Sequence, residues 1–171
     1  MNIVLGVHVK HDRSACIIID GRVVVNIANE RLDRVKYSDS PEIPYTAVDA
    51  VLKHCNIDIS QVSCIGMSGA GIESEKVKQF YKDDFFAHYR CREIPFFFLS
   101  HHWAHAYSSF CSSTFSESLI FVADGGGDYI GDKQEAETLY YGSHGKIQPL
   151  AARTQDMVCL LYTSPSPRDS T

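Results

Sequence analysis

Three short runs of β-branched and apolar residues, Ile3 to Val9, Ala15 to Ile19 and Val23 to Ala28, most restrict what this chain can become. Each has strand length, and the last two are joined by Asp20-Gly21, a pair that accepts the positive φ angles of a two-residue hairpin. The chain therefore opens as a three-stranded meander. A meander needs a cover for its apolar face. After Pro41 and Pro44, the residues Ala47, Val48, Val51 and Leu52 recur at helical spacing from Tyr45 to Asn56. Val62 to Met67 and Ile94 to Leu99 read as further buried strands, the first ending in Ser68-Gly69-Ala70-Gly71. The polar, aromatic-rich stretch 72–93 between them is not assigned to an element. His101 to Cys111 suits a helix, Ser118 to Ala123 a strand, and Glu137 to Tyr141 leads into a hairpin at Gly142 to Gly145. The pattern predicts an α/β chain with strands outnumbering helices and glycine loops at strand ends.

With 171 residues, 44% of them hydrophobic, the chain can bury one ordinary core, so one domain is the default. The net charge of -5 comes with scattered basic residues, which gives no reason to expect a nucleic-acid partner. The six cysteines form no CxxC pair and several lie in apolar runs, so they are read as reduced, mostly buried thiols. The apolar start from Met1 to Val9 is too short for a spanning helix or a signal peptide, which predicts no membrane partner and a cytoplasmic location. Cys159 to Asp169, CLLYTSPSPRD, reads codon for codon as one frame of a common transposase sequencing adapter. Residues 159–171 are therefore expected to be non-native, with residues 1–158 the N-terminal part of one domain and the gene continuing beyond Val158.

The densest chemistry is Ser100-His101-His102-Trp103-Ala104-His105-Ala106. On a helix, His101 and His105 lie four apart and project from one face, where both imidazoles reach one divalent ion, while His102 points about 100° away. Imidazole suits zinc or ferrous iron, and the site needs at least one further ligand such as a carboxylate. A plain histidine-rich helix start is the other reading of this spacing. The glutamate of a metalloprotease HExxH is missing. Asp124-Gly125-Gly126-Gly127-Asp128 follows an apolar strand. Its glycines permit φ > 0 and close approach of bare N–H groups to an anion, and an acid at a strand end can hold a metal, although a DG pair can be just a turn. Lys10-His11-Asp12-Arg13-Ser14 is either a hairpin loop or a phosphate-contacting loop with Asp12 and Ser14 available to a ligand. Glu30 to Lys36 is either a solvated charged face or a clamp in which Arg31, Arg34 or Lys36 holds a phosphoryl oxygen.

Taken in order, VLGVHVKHDRSACIIIDGRVV, ANERLDRVKY, SHHWAHAYSSF and VADGGGD resemble the N-terminal half of the O-carbamoyltransferase family of nodulation-factor and antibiotic biosynthesis, over roughly residues 3 to 145. The HHxAHA block and the downstream DGxG are the most specific parts. The resemblance implies an actin/Hsp70/sugar-kinase-like (ribonuclease H-type) subdomain, incomplete, with a mixed sheet and flanking helices. It implies ATP and carbamoyl phosphate as substrates, made into carbamoyl-adenylate, and a small-molecule hydroxyl acceptor. It further implies His101, His105 and Asp124 as metal ligands, iron first and zinc second. Asp124, Gly125, Gly126 and Gly127 correspond to the nucleotide loop. His11, Asp12 and Lys36 correspond to positions near the carbamoyl donor, with Asp12 and Lys36 in the catalytic roles. Where the family carries two or three acids before the arginine, this chain has Ala28-Asn29-Glu30-Arg31, and Tyr37 stands at a usual histidine. The family's further metal-binding aspartate and C-terminal adenylate-forming domain are expected beyond this sequence, so the chain alone is not expected to complete the reaction. A tRNA threonylcarbamoyl-transfer relative of the same fold and a non-catalytic metal- or nucleotide-binding module are the alternatives. The first turn, HDRSA, is unlike the Thr-Ser-Cys-Asp type of that tRNA relative.

Overall fold

β1 (Ile3–His8) alternates buried and half-buried side chains along its length, because strict apolar alternation sends Ile3, Leu5 and Val7 to one face. The computed structural model describes residues 1–36, 40–91 and 93–154. These form two compact units, Met1–Leu99 and Ser100–Thr171.

In the first unit β1 lies at the middle of a five-stranded sheet of order β3-β2-β1-β4-β5. It pairs antiparallel with β2 (Ser14–Ile19) and parallel with β4 (Cys64–Ser68), and β4 pairs parallel with β5 (Phe96–Leu99). The meander expected from the sequence closes with β3 (Arg22–Ala28) across Asp20 and Gly21, whose φ angles of 48° and 80° suit a primed hairpin turn. A single helical turn, α1 (Glu30–Asp33), follows. α2 (Tyr45–Cys55) buries Ala47, Val48, Val51 and Leu52 and ends at Asn56 in the left-handed conformation.

The unassigned stretch 72–93 contains a further helix, α3 (Glu75–Tyr89), started by the Ser74 hydroxyl accepting from Val77 N–H. Only Tyr81 and Phe85, four apart, are buried on it, so its apolar stripe is narrow and the exposed Phe80 blurs the period. α2 and α3 are clasped reciprocally: Tyr45 donates to Asp84 at 2.7 Å and Tyr89 donates to Asp49 at 2.8 Å. His88 stacks on Tyr45 with ring centres 3.6 Å apart. Ile3, Leu5, Val7, Ile17, Ile65, Met67 and the helix residues share one core.

In the second unit α4 (His101–Ser112) packs through Ala106 and Phe110 on Ile120, Val122, Tyr140 and Ile147. These come from β6 (Glu117–Ala123), β8 (Lys133–Ser143) and β9 (Lys146–Thr154), with the short β7 (Tyr129–Ile130) pairing β8 in a four-stranded antiparallel arrangement. The strand expected at Glu137 to Tyr141 is longer than its apolar core because its ends pair with β6, β7 and β9.

Among the described residues no helix is long and apolar enough to cross a membrane. The cysteines depart from the expected burial: Cys16, Cys55, Cys64 and Cys91 are half-buried and Cys111 is exposed, because several sit at the half-buried positions of alternating strands or on the outer side of helices. Cys159, Tyr37 and the segment 159–171 lie outside the described residues.

Candidate metal centre

The helix and the strand that carry the candidate ligands are set by local signals. Ser100 caps α4, its hydroxyl accepting from Trp103 N–H at 3.5 Å, so that the histidines occupy the first two turns. β6 ends at Ala123, and Asp124 N–H still donates to Ala136 O on β8 at 2.9 Å, which holds the aspartate at the strand end. The chain then loops through the three glycines to Asp128. There Gly127 N–H donates to Glu135 O at 2.7 Å and Glu135 N–H to Asp128 O at 2.8 Å.

This brings three candidate ligands together. His101 Nε2 lies 2.6 Å from Asp124 Oδ2, His105 Nε2 lies 3.1 Å from His101 Nε2, and His105 Nε2 lies 3.3 Å from Asp124 Oδ2. Ligands of one ion, bound at about 2.1 Å, sit about 3.0–3.4 Å apart at octahedral to tetrahedral angles. The spacing and the two-imidazole, one-carboxylate donor set therefore fit a divalent cation, and the 2.6 Å pair is a hydrogen bond. Among the described residues this is the group of three that fits a metal.

The electrostatics favour the ligand forms. Burial, followed by the neighbouring His101, pushes the His105 pKa below its ordinary value. Burial by itself raises Asp124, but the His101 hydrogen bond and charge, the Gly125 N–H and His105 outweigh it, so its carboxyl stays below the usual range. A neutral imidazole and an ionised carboxylate are the forms a metal binds, and both shifts run in that direction.

One expectation about the loop is corrected. Neither Gly126 nor Gly127 has a positive φ; close approach is what requires them. A Cβ on Gly127 would fall 2.7 Å from the His102 ring and 3.0 Å from Glu135 Oε2. His102, read from its spacing only as pointing away, is wholly buried behind the loop, with Nδ1 2.7 Å from Thr138 Oγ1. Burial also lowers its pKa, against the opposing charge of Glu135. Sequence reasoning missed Glu135 and Thr138 as parts of this site, and gave Asp128, the far end of the quoted loop, no role of its own. Asp128 accepts from His101 N–H at 2.9 Å, and the signal available was an acid on each side of the triglycine.

His11, Asp12 and Lys36 lie in the first unit and not in this cluster. His11 and Asp12 pair at 2.7 Å on the exposed β1–β2 loop, where Lys10 and Asp12 take φ angles of 73° and 54°. Asp12 also lines a small depression with Arg13, Asn29 and Glu30. Lys36 is exposed, Arg31 is exposed beside Glu30 at 3.5 Å, and Arg34 closes α1 in the left-handed conformation.

Known structures share this architecture. The chain aligns with YeaZ from Pseudomonas aeruginosa at a TM-score of 0.56 and 11% identity, covering 90% of this chain and 66% of that one. An uncharacterized protein with similarity to peptidase YEAZ from Pseudomonas aeruginosa aligns at 0.55 and 13% identity over the same shares. The fold is the mixed α/β fold of these two structures. No protein-family model matches the chain. Among curated proteins, Nodulation protein NolNO of Sinorhizobium fredii (strain NBRC 101917 / NGR234) is 30% identical over 174 residues, 89% of this chain. The chain is similar to NolNO over most of its own length and spans 24% of NolNO's.

Proposed function

We propose that this chain supplies the metal-holding part of an ATP-dependent O-carbamoyltransferase, which moves a carbamoyl group from carbamoyl phosphate, through carbamoyl-adenylate, to a hydroxyl of a small metabolite. The observation that carries the reading is the convergence of His101, His105 and Asp124 in a homologue of NolNO. His101, His105 and Asp124 hold a divalent ion, iron by first choice. Bound there, the ion supplies Lewis-acid polarisation of an acyl oxygen and a template for orienting it.

The chain's own groups do the rest. The depressed Asp124 pKa keeps an anion at the strand end, and Asp124, Gly125, Gly126 and Gly127 form the nucleotide loop. Within the first unit, His11, Asp12 and Lys36 are the candidate groups for the carbamoyl donor, with Asp12 and Lys36 in the catalytic roles. Positioning accounts for most of the rate gain, since the chemistry belongs to the activated donor. An adenylate-forming domain is the partner this scheme requires.

Metal analysis after anaerobic expression tests the reading. About one equivalent of bound metal is expected, lost in the His101→Ala/His105→Ala double variant. ATP is then expected to perturb the metal's spectrum, and, with an adenylate-forming domain joined to the chain, transfer from labelled carbamoyl phosphate is expected to need both ATP and the metal. Metal retained by the double variant removes the centre. Metal bound with no response to ATP leaves a non-catalytic metal-binding module, and transfer only to a tRNA adenosine moves the chain to the threonylcarbamoyl branch.

A further inference from the structure

Beneath the ligand cluster lies a second polar group that the metal reading does not use. His102 has no solvent exposure, Thr138 2% and Glu135 8%. His102 Nδ1 lies 2.7 Å from Thr138 Oγ1, and Thr138 Oγ1 lies 2.7 Å from Glu135 Oε1. Thr138 donates its single hydroxyl proton to Glu135, so the Thr138 oxygen must accept from His102 Nδ1–H. That order fixes the imidazole as the Nδ1–H tautomer. The bare Nε2 is left buried without a hydrogen-bond partner among the described residues.

The ring edge carrying Nε2 and Cδ2 lies flush against Gly127, where even a methyl group would come within 2.7 Å. Behind Gly127 the loop is tied to the same strand: Gly127 N–H donates to Glu135 O at 2.7 Å, and Gln134 Nε2 donates to Gly127 O at 3.0 Å. His102 adjoins the ligand His101 on α4, Glu135 and Thr138 belong to β8, and the loop begins at the ligand Asp124.

We infer that His102, locked in place by Thr138 and Glu135, is a positioning residue that sets the triglycine loop and through it the Asp124 carboxylate against His101 and His105. The inference rests on the metal reading above and goes beyond it in assigning a task to three residues that touch no ligand. A fully buried histidine with an unpartnered nitrogen is costly to keep for packing alone, where a leucine or phenylalanine serves better. Groups that orient metal ligands are worth about 10–100-fold in metal affinity when removed.

Co(II), titrated into the 171-residue chain and followed by its visible absorption, is the probe. Thr138→Val is expected to weaken Co(II) binding on the order of tenfold and to alter the absorption bands. Thr138→Ser, which keeps the hydroxyl, is expected to restore both. Glu135→Gln keeps the shape and is expected to shift affinity in the same direction, which provides a second reading should Thr138→Val fail to fold. Unchanged affinity and spectrum in Thr138→Val and Glu135→Gln, with binding abolished in His101→Ala, overturn the inference and leave the metal centre standing. Failure of Thr138→Ser to rescue also overturns it, since packing then explains the loss. A wild-type chain that takes up no Co(II) removes the metal reading and the inference together.

Discussion

Gly126 and Gly127 adjoin in the loop but differ in what a side chain would meet. A Cβ at Gly126 would press on the amide end of Gln134, a flexible tip that can swing aside, whereas at Gly127 it would meet the wholly buried His102 ring and the Glu135 carboxylate. Gly127→Ala is therefore expected to cost about 1–3 kcal/mol of unfolding free energy, the usual penalty for forcing atoms into a packed site. Gly126→Ala is expected to cost well under half of that, and denaturant unfolding of the two variants checks the order. Equal losses would mean that His102 yields as easily as Gln134. The HxxxH pair and the acid at the strand end were legible from spacing and strand length. The close packing behind Gly127 was not, because a glycine in a sequence does not reveal what lies against it.

The clasp between α2 and α3 ties two helices through hydroxyl donors to carboxylates. Burial first, and then the carboxylate partners Asp84 and Asp49, raise the pKa of Tyr45 and Tyr89 well above the ordinary tyrosine value. A raised folded pKa means that the folded state holds its proton where the unfolded state has released it. The contribution is therefore complete below about pH 10 and fades as the pH climbs above it. In the Tyr45→Phe/Tyr89→Phe variant, stability at neutral pH is expected to drop by about 1 kcal/mol per lost hydrogen bond at most. Its decline above about pH 10 is expected to be shallower than that of the wild type. A pH series of urea melts measures both, and parallel alkaline declines would show that the clasp is not what titrates. α3 escaped sequence reading for the same reason that it needs this clasp: with only Tyr81 and Phe85 buried, its apolar stripe is thin. By contrast, α2 was legible because four buried residues fall on one face.

Two cores of unequal size divide the molecule. The first unit buries a broad sheet face under two helices, while the second relies on Ala106, Phe110, Ile120, Val122, Tyr140 and Ile147. The second also buries His102, Asp128, Glu135 and Thr138, so its apolar gain is offset by the cost of burying polar groups. A metal that binds the folded ligand cluster adds stability to this unit by mass action, about 2.7 kcal/mol at one hundred times its dissociation constant. Hydrogen exchange with and without Co(II) is expected to slow amides of α4, β6 and β8 while leaving those of β1 and β4 unchanged. Uniform slowing or none would contradict a centre built on α4 and β6. Strands, hairpins, the amphipathic helix and the ligand spacing follow from periodicities that are local in the chain, and these could be read from residue order alone. Which histidine is buried, and which acids surround it, depends on contacts such as His102 with Thr138, 36 residues apart. Burial of this kind is a property of neighbours brought in by folding, so only the tertiary structure decides it.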